Sequence, residues 1–224
     1  MSITPGRPPY TTPNFDLPVP GGEEDADGVT ALRALADKVD ETLKMIEDQL
    51  PGAGGGGGGD FELIEDQTLS AQIGRIEFVD IPQTFSHLRL LVSARSSAGA
   101  QSDTPSMQVN GITTAEYDWV EIQGLQGNLT TFQALDTTAA RIGVLPAQTA
   151  AVSVRGTIVV DLPDYSRDGA CTWHAQSSSR GSTQFDLRTI AGICRAAPTI
   201  SSIALWNASG FFTAGSRATL YGLR

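Results

Sequence analysis

The chain has very little histidine or cysteine, 2 of each among 224 residues. General-base and metal-binding chemistry draws largely on these side chains, so the room for either is small. Cys171 and Cys194 form no Cys-x-x-Cys pair, and His87 and His174 have no paired-ligand spacing, so neither a metal site nor a cofactor is expected. One cysteine pair builds no disulfide framework, and buried thiols are the expected state. Lysine is confined to Lys38 and Lys44. The net charge of −10 has the wrong sign for neutralising phosphate, which excludes nucleic acid and anionic lipid as partners. No apolar run approaches the roughly 20 residues needed to span a bilayer. The N-terminus lacks the basic-then-apolar pattern of a secretory signal, so synthesis in a cytoplasm without membrane insertion is expected.

What is present is modular. Residues 1–22 carry Pro5, Pro8, Pro9, Pro13, Pro18 and Pro20, which favour an extended arm. Tyr10, Phe15 and Leu17 are spaced along it like anchors for laying the arm on another protein. Residues 23–51 read as a helix opening on the acidic cluster Glu23, Glu24, Asp25 and Asp27, which suits a helix N-terminus. Within it Val29, Leu32, Ala36, Val39, Leu43, Ile46 and Leu50 recur at alternating spacings of three and four, the seam of a coiled coil. Such a helix is marginal alone in water, so association with other copies is expected to stabilise it. Pro51 and Gly52 stop the helix, and residues 52–60, mostly glycine, read as a flexible linker. They lack the Lys-Ser/Thr and the preceding strand of a phosphate loop.

Residues 61–224 read as a β-rich head. Val152, Val154, Ile158, Val160 and Leu162 alternate with polar residues, as do Leu88, Leu90 and Val92. Further strands are predicted at 61–69, 75–81, 107–112, 119–125, 199–206 and 217–223, with prolines between them. Residues 129–142 are ambiguous, with room for a short helix. The fold class is therefore mainly β: an antiparallel β-sandwich, jelly-roll-like, behind an arm, a coiled-coil stalk and a linker.

Catalytic signals are weak, and no catalytic residue is assigned. His174 lies near Cys171 and Ser177 in sequence, but no nucleophile-elbow pattern accompanies it. For binding, Trp173 and Trp119 are the candidate glycan platforms, with Tyr117 and Trp206 as further aromatics and Asp118, Asp186, Arg188 or Asn207 as hydrogen-bonding partners.

Thr12-Pro13-Asn14-Phe15 with Leu17-Pro18, followed by an acidic patch and a helix containing Ala34-Leu35-Ala36-Asp37, resembles the N-terminus of tailed-bacteriophage minor tail and fibre proteins. In the head, three patches are similar to a β-sandwich domain of phage virion proteins: Ile81-Pro82-Gln83-Thr84-Phe85 running on to Leu90, Leu162-Pro163-Asp164-Tyr165, and the stretch from Ile203 to Leu223. The resemblance implies a non-enzymatic virion part, a homotrimer made in the host bacterial cytoplasm and attached to other virion proteins by its arm. Tail-tip or minor tail placement leads, head fibre or capsid decoration follows, and a host-glycan adhesin is the separate alternative.

Overall fold

The structure, a computed structural model, describes residues 10–11, 18–19, 37–38, 41, 61–196 and 198–224. Contacts divide the chain into two compact units, Met1–Gly59 and Asp60–Arg224. In the first unit β1 (Tyr10–Thr11) and β2 (Pro18–Val19) are extended and pair with each other antiparallel, Tyr10 opposite Val19. Residues 37, 38 and 41 are helical. The seam from Val29 to Leu50, together with Phe15 and Leu17, lies outside the described residues.

The second unit is built from β3 (Phe61–Thr68), β4 (Arg75–Phe78), β5 (His87–Ala94), β6 (Ser102–Asp103), β7 (Pro105–Val109), β8 (Tyr117–Leu125), β9 (Asn128–Thr137), β10 (Ala140–Arg141), β11 (Leu145–Pro146), β12 (Gly156–Pro163), β13 (Cys171–Arg180), β14 (Phe185–Cys194), β15 (Ile203–Asn207) and β16 (Arg217–Leu223). The fold is mainly β and its pairings are antiparallel. One sheet has eight strands in the order β3-β16-β5-β12-β13-β14-β8-β9, a second has four in the order β10-β7-β15-β4, and β11 pairs with β6.

Side-chain alternation decides which face is covered. Leu88, Leu90 and Val92 of β5, Ile158, Val160 and Leu162 of β12, and Ala218 and Leu220 of β16 form one inward row after another. Ile76, Phe78, Met107, Val109, Ile203 and Leu205 of the smaller sheet complete the same buried cluster. Burying a side chain of this size contributes about 1.5–3 kcal/mol, so the register of these strands is strongly specified. The opposite face of β8, β9 and β14 leaves Val120, Ile122, Leu129 and Leu187 exposed.

The strands expected at 61–69, 88–92 and 217–223 are present with small shifts of boundary. Residues 152–155, expected to begin a strand, lie outside it: 152 and 153 form a turn, and Val152 is exposed. The ambiguous stretch 129–142 holds no helix: it is β9 followed by β10. Gln126 and Gly127, both at positive φ (50° and 84°), form the two-residue turn between β8 and β9, a backbone shape matched to the twist of a hairpin. β13 and β14 are not among the strands predicted from the sequence, although together they form a central hairpin of the large sheet.

Cys171 and Cys194 are directly opposite on β13 and β14, both buried and unlinked, with Tyr117 next in the row. Burial pushes the Cys171 thiol up to about 12, and Cys194 is raised by the same cause. Iodoacetamide at pH 8 is therefore expected to leave both thiols unmodified in the folded protein and to label both in urea, as read by mass. Labelling of the folded protein at the unfolded rate would contradict the burial.

Candidate functional site

The inward face of the large sheet changes character toward β8 and β9. In successive inward positions β8 presents Tyr117, Trp119, Glu121 and Gln123, and β14 presents Cys194, Gly192, Ile190, Arg188 and Asp186 beside them. Apolar packing thus gives way to a charged group. Glu121 is fully buried; Arg141 Nε lies 2.9 Å and Arg188 Nη1 3.2 Å from its carboxylate oxygens. Arg188 also pairs with Asp186 at 2.8 Å, and Asp186 accepts a 2.9 Å hydrogen bond from Gln123 Nε2. The Arg141 guanidinium sits 5.0 Å from the centre of the Trp119 ring, in the range of a cation–π contact.

The compensation of these charges is incomplete. Both oxygens of Glu121 and Nε of Arg141 are buried without an aligned hydrogen bond, despite the short ion-pair distances. Burial raises the Glu121 carboxyl above its ordinary range, outweighing the opposing pull of Arg188 and Arg141. Arg141 is lowered by burial too. Water-exposed ions would be nearly free of this cost, whereas buried ions need excellent geometry to recover it.

The smaller sheet ends here. Its edge strand β10 packs against β8 and β14. On the inward face of β9, Thr130 opposite Gln123 and Phe132 opposite Glu121 are exposed, Phe132 by 43%, and Ala134 opposite Trp119 is half-buried. The result is a shelf: Phe132 and Thr130 on the open strand, Trp119 and Gln123 half-buried behind them, and Arg141 at the rim.

Trp119, a candidate platform from the sequence, is at this shelf. Trp173 is not, and the expectation that it could stack on a ligand is corrected. Its side chain is inward on β13, only 3% exposed, with Nε1–H donated to the Arg141 carbonyl at 3.2 Å. It lies edge-on to Tyr117, their ring centres 6.1 Å apart, and over Gly192, where any Cβ would strike its indole. Tyr117 is core: its hydroxyl donates to the Ile112 carbonyl and accepts from the Val109 amide. Trp206 is half-buried, with Arg75 5.6 Å from its ring centre. Asn207 is buried without a side-chain hydrogen bond, away from the Trp119 strand on β15. Asp118 faces outward, bonded to Arg195, whose guanidinium also meets Asp136 at 2.7 Å. Tyr10 belongs to the other unit.

Cys171, His174 and Ser177 are not brought together. Alternation places His174 on the outward face of β13, whereas Cys171 and Ser177 point inward, and Ser177 Oγ accepts from the Val144 amide. His87 Nδ1 accepts from the Asp164 amide at 3.1 Å and serves a turn. Among the described residues, no group of three or more His, Cys, Asp or Glu is placed to hold a metal ion, and no helix is long and apolar enough to cross a membrane. Glu121, Gln123, Arg141 and Phe132 are not among the candidates predicted from the sequence. The available signal was a glutamate and a glutamine in the same alternating row as Tyr117 and Trp119.

No family model matches the chain, and no curated protein matches it. Two solved structures of scytalido-glutamic peptidase, one with a transition state analog inhibitor and one with a peptide based transition state analog, are similar at 10% identity and a TM-score of 0.23. The match covers 69% of this chain and 66% of theirs, just under two thirds of the neighbour's length. A score this low assigns neither fold nor activity.

The charged row has a testable consequence. As pH falls, the folded protein takes up the Glu121 proton before the unfolded chain does, so the contribution of this group to stability rises between neutral pH and about 4.5, its ordinary value. Glu121→Gln removes this titration, so between pH 7 and about pH 4.5 the urea-unfolding stability of the variant is expected to gain less than that of wild type. An identical pH dependence in the two proteins would show that burial does not raise the Glu121 carboxyl.

Proposed function

We propose that the protein is a structural component of a tailed-bacteriophage virion, a minor tail or tail-tip part. Its arm, with Tyr10, Phe15 and Leu17 as anchors, lies on another virion protein. The seam from Val29 to Leu50 joins three copies, and the head, a jelly-roll-like sandwich, projects from the particle. Capsid decoration or a head fibre is the second placement. The reading rests on the resemblance of the arm and helix to minor tail and fibre proteins. The observation that supports it most is the division of the chain into Met1–Gly59 and Asp60–Arg224, at the end of the glycine run. A head that is a compact unit of its own can be displayed while the rest of the chain is gripped.

A host-glycan adhesin is the separate reading. It is favoured by the shelf at Trp119, where half-buried and exposed aromatics stand beside oriented polar groups.

Antibody labelling of the head on intact particles, viewed by electron microscopy, is expected to mark the tail. Unlabelled particles would overturn the virion reading, and label over the capsid would select the second placement. In native mass measurements Leu43→Asp is expected to convert a trimer to monomers whose heads keep their β-sheet circular dichroism. A variant that stays trimeric would show that the heads, and not the seam, hold the copies together.

A further inference from the structure

We propose that the shelf formed by Phe132, Thr130, Trp119, Gln123 and Arg141 is a binding site for neutral saccharide. This deepens the adhesin reading and rests on it. The first argument is shape. The small sheet stops at β10, and the inward row of β9 is largely exposed, with Phe132 offering an apolar ring beside the Thr130 hydroxyl. A pyranose ring has an apolar C–H face and a rim of hydroxyls. It therefore fits an aromatic surface bordered by a few fixed polar groups.

Charge then narrows the class. Glu121 and Asp186 balance Arg141 and Arg188, so the row has no net charge with which to capture an anion or a cation. Three of the four ions are held away from solvent. The Arg141 side chain, 26% exposed, is the one through which a ligand reaches the cluster. Glu121 and Arg141 Nε lie behind it, out of a ligand's reach. The exposed part of the Arg141 guanidinium can donate to a saccharide hydroxyl, which needs no charge of its own to accept. Gln123 spends one N–H on Asp186 and is otherwise open to a ligand, beside the Thr130 hydroxyl.

Position on the strand provides the control. Leu129 belongs to the same strand as Phe132 but alternates to the other face, where it is 81% exposed. Phe132 and Leu129 are both surface side chains, so truncating either leaves the core intact.

The test uses the full chain on an array of neutral and acidic glycans, followed by titration of the tightest neutral oligosaccharide. Phe132→Ala is expected to weaken binding about tenfold, equivalent to roughly 1.4 kcal/mol, while Leu129→Ala leaves it unchanged. Retention of no glycan, retention of acidic glycans alone, or equal loss in both variants would overturn the assignment. Particle content of the protein is measured in parallel. Protein absent from particles but binding saccharide defeats the virion reading alone. Protein present in particles without saccharide binding defeats the site alone.

Discussion

The architecture depends on covering one face of a sheet that is wider than its cover. Eight strands present an inward row, and the four strands of the smaller sheet share one buried cluster with it. Where the two overlap, Leu90, Val160, Leu220, Phe78 and Leu205 exclude water and fix the register, because a slip of one residue would turn each row outward. Where the overlap runs out, at β8 and β9, an apolar row would lie open to solvent. The sequence places Glu121, Gln123, Arg188 and Asp186 there instead.

That boundary explains the chemistry of the site. An ion inside a sheet-on-sheet core is costly, and an ion at an open edge is screened and weak. Glu121 sits between these limits, buried by β10 on one side and a strand away from solvent on the other. Its partners come from both sheets, Arg188 from the large one and Arg141 from the small one, so the ion pairs also tie the two sheets together at their margin. The same termination of the small sheet that strands these charges leaves Phe132 and Thr130 accessible beside them.

Much of the β framework was legible in the sequence because strands such as β5 and β12 alternate large aliphatic residues with polar ones. β13 was not. Its inward row is Cys171, Trp173, Ala175, Ser177 and Ser179, small and partly polar, and gives no hydrophobic period. Trp173 was misread for the same reason: its neighbours Thr172, His174 and Gln176 are polar because they face outward, and adjacent residues on a strand report on the opposite face. β9 was ambiguous because exposure of both its faces removes the contrast that alternation relies on. Trp119 was identified as an aromatic near polar groups, but the ion cluster behind it joins residues from β8, β10 and β14. No local pattern encodes that meeting; the strand order does.

The most direct test of the uneven cover is hydroxyl-radical footprinting of the assembled full-length protein. Phe132 is expected to be oxidised readily and Trp119 partially, with Trp173 and Tyr117 protected. Protection of Phe132 to the level of Trp173 would mean that the inward row of β9 is covered, contradicting an open shelf.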